Sequence, residues 1–353
     1  MFKRILLSVL CVFLIFTLCA CHAQDEIAVT VGGVNIKSGA YANMLIYADT
    51  EAKSKVDSNL TSQGASDLSR VNYFAQKIDG TDYTKWVKDR AIEHCKRYAI
   101  IELKAKELNI TLTEQEANSV TSTVYNDWYA TGYGELYEKN GVAYNTYLDY
   151  NLNNRLGFKV FKNVFGEGGE KAADKQTVID TMYENFEIAN ILEVSTADLS
   201  STEIAELKDK LNAYGDRITK GESFETIYVE HYDLKDHKHE ELKEGEDAPK
   251  DLHAQLIGSD ETDYSHTNFD DIKKMAVGEV KVFEDGDAKV LRLVVRGDIT
   301  TDDYYEENLY GTVLYMLYDE DFEKYLTELY SKLEIEINDY AVDNFKVKKI
   351  KYE

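Results

Sequence analysis

Three imidazoles, His231, His237 and His239, stand close together among the carboxylates of Asp233, Asp236, Glu240 and Glu241. Imidazole nitrogens and carboxylate oxygens at such spacing are the donor types that hold zinc. Metal ligands need a rigid support, however. All but His231 lie in a stretch, 233–265, that is charged and irregular. It reads as a solvated charged loop, and neither a metal nor any other cofactor is expected. No Ser-His-Asp pattern, glycine-rich phosphate loop or paired-carboxylate motif stands out either. The remaining reactive groups are four thiols, Cys11, Cys19, Cys21 and Cys95.

Cys21 has the clearest chemistry. Lys3 and Arg4 precede an apolar run from Ile5 to about Thr17, and small residues follow. A positive start, a short apolar core and a small residue before the cut describe a secretory signal. The run is too short to cross a ~30 Å hydrocarbon core, which takes about 20 residues. Leu18, Cys19, Ala20 and Cys21 resemble the bacterial lipobox, with Cys19 where alanine or serine is usual. Residues 1–20 are thus expected to be a signal peptide, Cys21 the acylated residue, and 21–26 a polar tether. Such an anchor attaches a protein to the extracytoplasmic face of a membrane without spanning it.

Cleavage would leave Cys95 with no intrachain partner, so no disulfide framework is expected despite export. Cys95 belongs to a stripe at helical spacing (Val87, Ala91, Cys95, Tyr98, Ile101, Ala105, Leu108), which reads as core. Removing Lys3 and Arg4 takes the formal charge from −25 to −27. A surface so acidic repels polyanions, and no nucleic-acid partner is expected. Tyrosine is abundant, 26 in all, and Tyr125, Trp128, Tyr129, Tyr133, Tyr137, Tyr144, Tyr147 and Tyr150 fall in one stretch. Amphipathic rings suit low-specificity contact with unfolded chains. Half-buried helix packing is the plainer reading for most of them.

The elements that must position these groups change character along the chain. Ile27–Ile36 alternates around Gly32-Gly33 as a hairpin. Ser38 opens a helix through Ile46, and 53–81 reads as a loop. Helices are expected over 82–108, from the Thr113/Glu116 capping box to Trp128, over 144–164 and over 174–183. Then comes a strand over 187–194, a helix capped by Ser200 and Glu203, a short helix ending at His231, another from Phe269 to Met275, and strands over 280–283 and 288–295. A long helix resumes over 301–333. The fold class is α+β. A helical domain (27–186) is interrupted by a β-α-α-α-β-β unit (187–297) and completed by a C-terminal helix and tail (298–353).

This order resembles the PrsA-like extracytoplasmic foldase lipoproteins of Gram-positive bacteria, whose helical chaperone region brackets a parvulin-type peptidyl-prolyl isomerase domain. The likeness is carried by Val29-Thr30-Val31-Gly32-Gly33-Val34-Asn35-Ile36, by Leu108 to Glu116, by Ile188-Ala189-Asn190-Ile191-Leu192, by Lys220-Gly221-Glu222-Ser223-Phe224 and by Phe269 through Val280. The resemblance implies two facing histidines and a Met/Phe cup for the proline ring. Asn190 stands where the first histidine belongs, and the last is missing around Lys289. Phe269 matches the cup phenylalanine, while Ser265 and His266 occupy the place of its methionine. The expectation is a chaperone that assists folding of exported proteins, anchored at Cys21, with a catalytically weak or inactive parvulin-like domain. An isomerase with a rearranged site and a passive envelope lipoprotein are the alternatives. The expected partners are unfolded or partly folded exported chains. Nothing in the sequence marks which residues bind them.

Overall fold

A computed structural model describes residues 26–234, 249–260, 262, 264, 265 and 267–352. The expected signal peptide (1–20), Cys21, His237, His239 and His266 lie outside the described residues. The chain forms two compact units, one up to Val164 and again from Asp319, the other Phe165–Tyr318.

The first unit is built on the expected hairpin. Strands β1 (Ile27–Val31) and β2 (Val34–Lys37) pair antiparallel through Val31 and Val34. The two intervening residues, Gly32 and Gly33, both take positive φ, +56° and +83°. That is the two-residue turn whose twist matches paired strands, and it favours glycine at both positions. A Cβ on Gly32 would also come within 3.1 Å of the Leu103 side chain. The C-terminal strand β9 (Ile335–Ile337) pairs with the other edge of β1, giving the order β2-β1-β9. The two ends of the chain therefore share one small sheet.

Helix α1 (Ser38–Ser62) continues 16 residues beyond the expected end near Ile46. Its second half is polar, so the signal is thin. Ala48, Ala52 and Val56, four apart, are its buried face. Within the stretch read as a loop, the short strands β3 (Lys77–Ile78) and β4 (Thr81–Asp82) pair antiparallel, and helix α2 (Tyr83–Glu107) then packs on α1 along the expected stripe. Cys95 there is fully buried, with Sγ 3.3 Å from Met44 Sδ, and burial pushes its thiol pKa far up. It is an inert core side chain. Helix α3 (Glu114–Ala130) starts at the Thr113/Glu116 capping box, and α4 (Tyr133–Lys139) and α5 (Tyr144–Phe165) follow.

The second unit contains α6 (Lys175–Asn185), β5 (Phe186–Ser195), α7 (Ser201–Thr219), α8 (Phe224–His231), β6 (Ala254–Gly258), α9 (Phe269–Lys273), β7 (Val280–Asp285) and β8 (Val290–Arg296). Helix α10 (Asp303–Tyr330) begins here and ends in the first unit, followed there by the short α11 (Asp339–Asp343). Four strands form one antiparallel sheet, β6-β5-β8-β7. With antiparallel pairs throughout and helices packed on the sheet, the class is α+β. This unit is wider than the segment 187–297 because it takes in α6 and the first half of α10. Strand β6 lies inside the stretch read as irregular. It is short and at an edge, and only Ile257 and Gly258 of its five residues are buried, so it carries little apolar pattern.

The sheet has two apolar faces. Ala189 and Ile191 of β5 pack with Ile257, Phe269, Ile272, Met275 and Val294. Leu192, one step on, packs with Leu211, Tyr214, Phe224, Ile227, Leu291 and Leu293 beneath α7 and α8. Successive residues of a strand point to opposite faces. Among the described residues no helix is long and apolar enough to cross a membrane.

Candidate functional site

The three positions singled out by resemblance lie apart. Phe269 opens α9 and is 8% exposed, packed in the Ala189/Ile191 core. Asn190 falls between those two residues on β5, so alternation points it to the other face, under α7 and α8. Its Nδ2 donates to Asp251 Oδ2 at 2.7 Å, and its buried Oδ1 has no partner. Lys289 sits at the β7–β8 turn with φ +55°, exposed, and its carbonyl accepts from the Thr196 amide. Ser265 is hydrogen-bonded to Thr267, 2.9 Å oxygen to oxygen. Among the described residues no cup joins Phe269 to Asn190.

A different group of side chains meets on the Asn190 face. Asp251 holds the Asn190 amide with one carboxylate oxygen and accepts the His253 backbone N–H at 3.0 Å with the other. The His253 ring bonds through Nε2 to Glu225 of α8. It is flanked by Phe224 and Tyr228, with ring centroids 5.8 and 4.9 Å away. At 12% side-chain exposure it is nearly enclosed. Sequence reading missed His253, Glu225 and Asp251. They come from α8 and from the turn before β6, and no periodicity links them. The arrangement offers an imidazole oriented by a carboxylate, an amide and two aromatic walls. Those groups can hold an apolar ring and hydrogen-bond a peptide group.

His231 belongs to none of this. It lies edge-on to Tyr214 and Tyr232, its buried Nδ1 has no partner, and burial lowers its pKa. Among the described residues no three His, Cys, Asp or Glu side chains form a metal cluster.

The tyrosine-rich stretch of the first unit divides in two. Trp128 and Tyr137 are buried and stacked, with centroids 6.1 Å apart, and Tyr144 and Tyr147 pack against the indole at 5.5 and 5.6 Å. Tyr150 is half-buried, its pKa pushed up to about 12 by burial. Tyr125, Tyr129 and Tyr133 instead expose 57, 64 and 50% of their surface. Tyr125 and Tyr129 are one turn apart on α3, with centroids 4.7 Å apart, and Tyr129 reaches Tyr144 at 6.1 Å. The buried rings therefore form a base from which an exposed aromatic face projects.

No family model and no curated protein matches this chain. Among solved structures it is similar to the foldase PrsA of Lactococcus lactis, at 10% identity over 91% of this chain and 99% of that one, TM-score 0.43. It is also similar to PrsA of Streptococcus pneumoniae, at 14% identity over 72 and 87%, TM-score 0.41. A third neighbour comes from work on SurA-like chaperones of Campylobacter jejuni, at 12% identity over 89 and 99%, TM-score 0.28. At these scores the neighbours bear on neither the activity nor the site residues of this chain.

Proposed function

We propose that this protein is an extracytoplasmic chaperone for exported chains, held at the membrane by a lipid on Cys21, whose sheet unit serves binding more than catalysis. The observation that carries the reading is the exposed face of Tyr125, Tyr129 and Tyr133 over a buried aromatic base. Rigid amphipathic rings bind apolar segments of varied sequence at low entropic cost. The export signal and the lipobox resemblance support the location. The test is light scattering from an unfolding client with the mature protein at equimolar ratio. Suppressed aggregation is expected, and unchanged aggregation sinks the reading. For the anchor, Cys21→Ser is expected to shift the protein from the membrane fraction to the medium. A variant that stays in the membrane removes the lipid from the account.

One observation favours a second reading, prolyl isomerisation at a rearranged site. His253, oriented by Glu225 and walled by Phe224 and Tyr228, is close to the Asn190–Asp251 pair. Polar groups in a dry cup can favour a twisted amide over a planar one. With one imidazole in place of a facing pair, the expected rate on X-Pro peptides is at or near background. A clear acceleration lost in His253→Ala would establish the isomerase.

A further inference from the structure

Against a formal charge of −25, the stretch from Asn344 to Tyr352 carries Lys346, Lys348, Lys349 and Lys351 and no acidic residue. The fold gathers this charge. Lys346, Lys349 and Lys351, with Lys139 from the end of α4, line a cavity of about 250 Å³ whose apolar wall is Ala42, Leu45, Ile46, Phe345 and Ile350. All four lysines are exposed. Reciprocal hydrogen bonds between the Asn140 side chain and the Lys351 backbone, 2.8 and 2.9 Å, fix the tail against α4. Lys139 faces Glu135 at 3.3 Å, whereas Lys346, Lys349 and Lys351 form no ion pair among the described residues.

The start of the described chain lies close by. Asn338 Nδ2 donates to Glu26 Oε1 and to the Ile27 carbonyl, at 3.3 and 3.1 Å. Asn338 caps the five-residue α11, which runs directly into Asn344 and Phe345 of the cavity. Between Cys21 and Glu26 there are only five residue steps, which reach at most about 18 Å. A lipid on Cys21 would therefore hold the side of the unit bearing Glu26 and Asn338 near the headgroups. There the basic tail is the local exception to an otherwise repelling surface.

We infer that the lysine cluster of Lys139, Lys346, Lys349 and Lys351 docks on an anionic phospholipid surface, orienting the helical unit at the membrane. The inference rests on the anchored reading, but its test does not need the anchor. Each lysine at an anionic surface changes partition about fivefold, so three change it roughly 100-fold. The experiment is flotation of the unacylated mature polypeptide (22–353) with phosphatidylglycerol or phosphatidylcholine vesicles, at low and high salt. The comparison protein carries Lys346→Gln, Lys349→Gln and Lys351→Gln. Salt-sensitive binding to phosphatidylglycerol alone, roughly 100-fold weaker in the triple variant, is expected. Binding that the triple variant leaves unchanged, or no preference for phosphatidylglycerol, overturns the inference. So does capture of an acidic peptide by the cluster without vesicle binding, which would make it a client site. Circular dichroism of the triple variant should match the parent, since all three side chains are exposed. Client protection in solution is read separately, so failure here leaves the chaperone reading standing.

Discussion

The aromatic face of the helical unit and the polar group of the sheet unit are assembled in opposite ways. Tyr125, Trp128, Tyr129, Tyr137 and Tyr144 are near neighbours in sequence, and helix periodicity with short loops keeps them neighbours in space. Asn190, Glu225, Asp251 and His253 come from a strand, a helix and a turn; the Asn190–Asp251 bond spans 61 residues and the Glu225–His253 bond 28. The positions suggested by resemblance, Asn190 and Phe269, end on opposite faces of β5. A sheet sends adjacent residues to opposite sides, so a motif aligned by order alone says little about which groups converge. The first region is therefore robust to how the chain is read, and the second depends on register.

The sharpest test of this contrast is Phe269→Ala. As a buried core ring it should cost about 3–5 kcal/mol, read as a lowered midpoint of urea unfolding followed by tyrosine fluorescence. A ring lining a substrate cup would instead lower isomerase activity with little loss of stability. The converse is expected for the triple change Tyr125→Ser, Tyr129→Ser and Tyr133→Ser. These rings are at least half exposed, so stability should move by less than about 0.5 kcal/mol per site. Client protection should fall about tenfold, roughly 1.4 kcal/mol of lost contact. Protection that survives this change would shift the client surface away from α3.

Much of the fold was legible because its signals are local. The Gly32-Gly33 hairpin, the capping boxes at Thr113/Glu116 and Ser200/Glu203, and the Cys95 stripe all formed as read. The second half of α1 was not legible, since only every fourth residue carries its buried face. Strand β6 was hidden because its order comes from pairing with β5 (Ile188↔Leu256, Asn190↔Ala254), not from its own composition. His253 escaped notice for the same reason. Its partner Glu225 becomes a neighbour only once β6 and α8 lie on the same side of β5.

The smallest effect expected is a difference in acid response, and it sets the two units apart through two carboxylates, one half-buried and one buried. Glu51 in the helical unit is bound by Arg90 at 2.6 and 3.2 Å and by His94 at 3.3 Å. Burial pushes its pKa up, but the hydrogen bonds from His94 and Arg90 outweigh that and hold it at about 2, against an ordinary 4.5. Its stabilisation is present above about pH 4.5 and is lost as pH falls toward 2. Glu187 in the sheet unit is bound by Arg296 at 2.9 and 3.0 Å, yet burial wins and raises its pKa. Its folded form takes up a proton first, so this carboxyl adds stability to the sheet unit as pH falls from neutral toward 4.5, opposed by His231, whose lowered pKa costs stability as pH falls below about 6.5. Glu187 therefore acts above pH 4.5 and Glu51 below it. The surface carboxylates whose pKa values are lowered, such as the half-buried Glu222 and Asp285 and the exposed Glu230, act only below that window. Both tryptophans, Trp86 and Trp128, belong to the helical unit, so indole fluorescence follows that unit in the intact protein. Amide exchange in β5 and β8 follows the other. Relative to the parent, Glu187→Gln should lose β5 and β8 protection as pH falls from 7 to 4.5 and leave the indole transition unmoved. Glu51→Gln should flatten the indole transition below pH 4.5. If Glu187→Gln left the pH slope of β5 and β8 intact, burial would not be the force that sets the charge of that pair.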